Sequence, residues 1–137
     1  MEYKRNDATL NRPEGDRVLD APYVYMDLDK YTDQVKDEEA WDKNDRNGIT
    51  MFKTGNLTTV LTCLHKGAEI KDNTVGGLFQ VLVLDGRVRV TTDDGDVEMK
   101  ENEMITFHPN VHHSIEAVKK STLLLQTIDD KNTMHPA

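Results

Sequence analysis

A chain of 137 residues suits one compact domain with one core. With 31% charged residues, a formal net charge of −8 and a mean hydropathy of −0.66, its surface is polar and acidic, which argues against a nucleic-acid backbone or an anionic membrane as the main partner. It holds no run of about 18 apolar residues, so no transmembrane helix is expected, and its one cysteine, Cys63, cannot form an internal disulfide.

The first residues, Met1 to Asp7, lack the apolar core of a secretion signal, and the expected location is the cytoplasm. Residues 1–22 are polar and broken by Pro13, Gly15 and Pro22, which predicts an extended arm with a short strand at Arg17-Val18-Leu19. Tyr23-Val24-Tyr25-Met26 is apolar enough to predict a strand able to pair with a sheet edge. Asp29 to Trp41 predicts a helix capped by Asp29 or Thr32, with Val35 and Trp41 as its apolar side and Asp37-Glu38-Glu39 on an exposed face. Residues 1–50 hold 13 acids and 8 bases, which reads as a solvated surface segment.

From Ile49 the period becomes that of strands. Ile49–Lys53 is followed by a turn at Thr54-Gly55-Asn56. Leu57–His65 places Thr58, Val60, Thr62 and Leu64 on one side and Leu61, Cys63 and His65 on the other. Lys71–Gly77 reads as a polar loop. Phe79–Val90 reads as a hairpin turning at Asp85-Gly86, its first arm apolar on both faces and its second, Arg87-Val88-Arg89-Val90, half exposed. A second turn at Asp94-Gly95 leads to strands at Val97–Lys100, Met104–Phe107, Ser114–Val118 and Thr122–Ile128. About eight short strands in succession predict an all-β sandwich or barrel. The expected organisation is an N-terminal arm and short helix over residues 1–47, a barrel over 48–128 and a polar tail over 129–137.

With the strands placed, residues 48–128 resemble a cupin. One motif of that superfamily reads Gly, five residues, His-x-His, three or four residues, Glu, six residues, Gly. Here Gly67, Asn73, Val75, Phe79 and Gly86 keep the spacing and replace all three ligands. The other motif reads Gly, five residues, Pro-x-Gly, two residues, His. Here Asn102, His108, Asn110 and His113 fill it, with proline moved to Pro109. Asparagine ranks next to glycine for a left-handed backbone, so both glycine replacements are conservative. The segment Gly67–Glu116 is also similar to short, single-domain bacterial cupins with a reduced metal motif. The resemblance implies a double-stranded β-helix, or jelly-roll barrel. It also implies that one ligand of four, His113, remains, too few for a tightly held first-row metal. No metal and no cofactor are therefore expected.

If Phe79 points into the barrel, so do Val81 and Val83, and Phe107, Ile105 and His113 follow. The expected pocket is lined by Val75, Phe79, Val81, Val83, Ile105 and Phe107, with His113 and Asn73 as its polar groups. His113 either serves a ligand or proton transfer or is a satisfied core histidine. His108 and His112 read as turn residues at the barrel mouth. Cys63 reads as a buried inert thiol, with a pairing to His65 left open. Asp93, Asp94 and Asp96 read as a solvated hairpin tip. The expected function is a non-metal cupin domain binding a small molecule beside His113. The alternative is a small metal-dependent or metal-free enzyme, of dioxygenase or isomerase type, using His113. A homodimer is expected, because the arm and Tyr23–Met26 can cover sheet edges across a two-fold axis.

Overall fold

The computed structural model describes residues 3–10, 12–73 and 75–129. Its strands are β1 (Lys4–Asn6), β2 (Arg17–Asp20), β3 (Arg46–Lys53), β4 (Leu57–Leu64), β5 (Glu69–Asn73) and β6 (Leu78–Asp85), followed by β7 (Arg87–Thr92), β8 (Gly95–Lys100), β9 (Met104–Phe107), β10 (His113–Ala117) and β11 (Ser121–Ile128). Two helices, α1 (Leu28–Asp37) and α2 (Glu39–Lys43), stand between β2 and β3. The strands form a β1-β2 ribbon, a four-stranded sheet ordered β5-β10-β7-β8 and a five-stranded sheet ordered β3-β4-β11-β6-β9. From β5 onward the chain passes back and forth between the two larger sheets, the connectivity of a jelly roll. No helix among the described residues is long and apolar enough to cross a membrane.

The two larger sheets face each other over one core. Val81 and Val83 of β6, Val88 and Val90 of β7, Ile115 of β10 and Leu123 of β11 have no solvent exposure there. The opposite face of the five-stranded sheet carries a second core. Ile49, Met51, Leu61 and Cys63 pack under Val35 of α1 and Trp41 of α2. Each such side chain contributes roughly 1.5–3 kcal/mol on burial, and this layer holds the helices in place.

Several sequence expectations change. Asp85-Gly86 is no hairpin, because β6 and β7 lie in different sheets. It is the corner where the chain changes sheet. Gly86 has φ of +95°, and a Cβ there would run into Lys120 O and Ser121 Oγ. The true hairpin joins β7 to β8, closed at Thr92 and Gly95 around Asp93-Asp94. Tyr23–Met26 is not a strand but an irregular strap leading into α1. The helix begins earlier and breaks sooner than its pattern suggests. Asp27 caps it by accepting from Lys30 N at 3.2 Å, and the chain turns extended at Glu38 (φ −82°, ψ 148°) before α2. The expected loop at Lys71–Gly77 starts as strand, since β5 runs to Asn73. The tail beyond residue 129 lies outside the described residues.

The arm lies along its own sheet. The Arg12 guanidinium grips the Glu38 carboxylate through Nε and Nη2, at 2.9 and 2.8 Å, and donates to Gly48 O at 2.6 Å. Arg17 Nε donates to Thr50 O at 2.7 Å. Both carbonyls belong to β3, an edge strand, so part of that edge is occupied by the chain's own side chains.

Candidate functional site

The inner face of the jelly roll gathers the side chains expected to form a pocket. Phe79 of β6 and Phe107 of β9 are direct cross-strand partners, with ring centroids 6.3 Å apart. Across the interior, His113 of β10 lays its imidazole against both rings, 4.3 Å from Phe107 and 5.2 Å from Phe79, within 13° and 18° of parallel. His113 is 2% exposed. Its Nδ1 lies 3.0 Å from Val111 O, and since a carbonyl only accepts, Nδ1 carries a proton and donates it there. Val81 and Val83 are buried below the rings. Ile105 and Val75 are half-buried and pack against the same cluster. Val75 also ties the two motif loops together, its carbonyl accepting from Asn110 N at 2.8 Å. Asn73 is the backbone partner of His113 in register, while its side chain lies outside the described structure.

The spacing motifs acquire a geometric meaning. Gly67 and Gly86 have φ of +88° and +95°, and Asn102 and Asn110 have φ of +68° and +66°. All four positions where the motif asks for glycine hold a left-handed backbone, and asparagine serves at two of them.

The remaining candidates go elsewhere. His108 and His112 are exposed. His65 lies outside the barrel, stacked on Trp41 at 3.5 Å and donating from Nε2 to Trp41 O at 2.8 Å. Cys63 faces the helices, with Sγ 3.7 Å from Thr122 Oγ1, and burial pushes its thiol pKa up. The thiol and the imidazole thus have separate partners. Asp93, Asp94 and Asp96 are exposed around the β7–β8 turn.

The donor set does not fit the metal centre that the fold usually carries. Aliphatic Val75 and the Phe79 ring occupy two ligand positions of the motif, and the described residues contain no group of three His, Cys, Asp or Glu able to hold an ion.

Sequence reasoning missed the other half of the inner face. On the outer face, Thr59 Oγ1 donates to Gln126 Oε1 at 3.1 Å, Gln126 Nε2 to Gln80 Oε1 at 3.3 Å and Gln80 Nε2 to Thr106 Oγ1 at 3.4 Å. Alternation therefore turns the adjacent Thr58, Thr127 and Phe79 inward. Thr50, Thr58, Val60, Leu125 and Thr127 on β3, β4 and β11 are all half-buried, whereas the β6 and β7 valines and Ile115 of β10 are closed off completely. The inner face is thus partly exposed on the β3–β4–β11 side. The alternation of Leu57–His65 already grouped Thr58 with Val60 and Thr62, but nothing in that segment said which side faced the barrel.

No protein-family profile matches the chain, and no curated protein matches it significantly. Solved structures do match. A conserved protein of unknown function from Streptococcus pyogenes shares 23% identity over 78% of this chain and 88% of its own, with a TM-score of 0.65. A cupin superfamily protein from Desulfitobacterium hafniense shares 17% over 64% of this chain and 80% of its own, with a TM-score of 0.61. An HTH_3 family transcriptional regulator from Vibrio cholerae shares 20% over 66% of this chain and 54% of its own, with a TM-score of 0.57. Likeness at such identities speaks for architecture, and proteins of different names share this one. Two antiparallel sheets in jelly-roll order, left-handed residues at all four motif turns and these structural neighbours lead to one conclusion: the chain has the fold of the cupin superfamily.

Proposed function

We propose that this is a metal-independent cupin that holds a small, mostly apolar molecule in the mouth of its jelly roll beside His113. The observation that carries the reading is the three-ring stack of Phe79, His113 and Phe107 set beside a half-buried inner face. The stack supplies a flat apolar wall with one polar ring, and the half-buried face supplies access, which together make the setting of a small-ligand site. In this reading residues 48–128 carry the binding function. The single thiol Cys63, buried and unpaired with another cysteine, suits a reducing compartment, and the proposal places the protein in the cytoplasm. The test is a titration with phenol, a probe of mixed polarity, followed by NMR of the Val81 and Ile105 methyl groups and the His113 ring. Saturable shifts confined to these groups are expected. Uniform, non-saturating shifts at millimolar phenol would count against the pocket.

The arm supports a second proposal, that two copies of the chain associate through residues 1–47. Tyr3, Tyr23 and Tyr25 are 64%, 88% and 85% exposed, and with Val18, Pro22 and Tyr31 they line one groove of about 420 Å³. Tyrosines are among the residues that anchor interfaces. Arg12 and Arg17 already bind two carbonyls of the β3 edge, which favours the tyrosine face as the route. Light scattering at micromolar concentration is expected to give twice the chain mass, reduced to one chain by Tyr23→Ser with Tyr25→Ser. A monomeric wild-type protein would refute this.

A further inference from the structure

We infer that the ligand of this mouth is an organic anion, a monocarboxylate with an apolar body, whose carboxylate meets Lys53, Thr58 and Thr127. The inference rests on the pocket reading above and adds the chemical class of what enters it. Cross-strand register sets five residues in a single row across the whole sheet. Lys53 pairs with Thr58, Thr58 with Thr127, Thr127 with Phe79, and Phe79 with Phe107. Because direct partners share a face and Phe79 belongs to the interior cluster, the row faces inward. Read from β3 to β9 it runs ammonium, hydroxyl, hydroxyl, phenyl, phenyl. The next inward row, Thr50–Val60–Leu125–Val81–Ile105, repeats the gradient, with its hydroxyl at the β3 end and aliphatic groups after it.

The polar end of the row has open bonding capacity. Among the described residues neither the Thr58 nor the Thr127 hydroxyl has a hydrogen-bond partner within the protein, although both side chains are half-buried. Among the described residues Lys53 has no ion-pair partner, in a chain whose acids outnumber its bases by 25 to 17. Asp129, two residues past Thr127, is exposed. An ammonium and two hydroxyl donors on one wall suit a carboxylate, which accepts only and bonds most strongly to charged donors. The rings and valines next to them suit an apolar body. A neutral apolar ligand would leave the donors unanswered, and a cation would meet Lys53 with no carboxylate of the row to bind.

The test compares benzoate with benzyl alcohol, its neutral analogue of similar size, binding to the full chain by NMR titration. The expected result is about tenfold tighter binding of benzoate. That advantage should disappear in Lys53→Gln, shrink in Thr127→Val and fall with added salt. Lys53 is exposed, so Lys53→Gln is expected to keep the wild-type thermal midpoint. Equal affinity for the two probes, or a benzoate preference untouched by Lys53→Gln, would overturn the anion inference and leave the pocket standing. If neither probe shifts the Val81 and Ile105 methyl signals, the pocket falls and the inference with it.

Discussion

Glu38 shows how far a side chain's role can lie from its sequence neighbourhood. Within Asp37-Glu38-Glu39 it reads as one acid of an exposed helix face, yet its side chain is only 9% exposed and it takes the Arg12 guanidinium at two atoms. Asn47 adds a further hydrogen bond at 3.0 Å. Burial by itself would raise this carboxyl. The hydrogen bonds from Arg12 and Asn47 and the guanidinium charge outweigh it and hold the group below the usual carboxylate range. A depressed carboxylate adds stability that is fully present above its unfolded value, about 4.3, and is lost as pH falls through the lower folded value. The arm's attachment is therefore expected to weaken below about pH 4. Glu38→Ala is expected to cost about 2 kcal/mol at neutral pH, since it removes the carboxylate that Arg12 and Asn47 share and leaves them only Gly48 O and Val35 O. Amide shifts of residues 15–20 across a pH series check both statements; an arm whose signals ignore acid and the substitution alike would refute them. The motif turns were the legible counterpart. Asparagine at 102 and 110 could be read as a stand-in for glycine because the preference for a left-handed backbone is intrinsic to the residue. The inward aim of Phe79, Val81, Val83 and Phe107 was legible for a similar reason, since strand alternation is local.

Among the elements, strand existence was legible and strand partnership was not. Met104–Phe107 matches its expected bounds, β10 is shifted by one residue at both ends and β11 starts one residue earlier. The apolar run and the alternation that announce a strand are local properties, whereas its neighbours depend on distant segments. Asp85-Gly86 illustrates the difference. The pair carries the composition of a tight hairpin turn, but the chain uses the positive φ of Gly86 to cross between sheets. Ser121 completes that corner, with Oγ accepting from Arg87 N at 3.0 Å and donating to Lys119 O at 2.7 Å. β5 was missed because Lys71-Asp72-Asn73 is polar, as an edge strand can be. The helix break at Glu38 was missed because Val35 and Trp41 both read as the apolar side of one helix, although residues six apart on a continuous helix stand about 120° apart and the two lie on separate helices.

At the scale of the molecule, one sheet serves two cores. Its outer face binds the helices and holds Cys63 and His65 away from the interior. Its inner face closes over valines on one side and stays half open over threonines on the other. The Phe79–Val90 stretch brings these together. Phe79 heads a strand of the inner wall, stacks on the one histidine among the described residues that the interior keeps, and fills the place of a metal-ligating carboxylate in the motif. Central to the proposed function is the claim that this barrel holds its ligand without a resident metal. Its direct measurement is the metal content of protein purified without chelator or added metal, followed by titration with zinc. The expected result is well under one equivalent of transition metal, and no saturable zinc binding that depends on His113. One equivalent of metal per chain, lost on His113→Ala in a protein that stays folded, would contradict it.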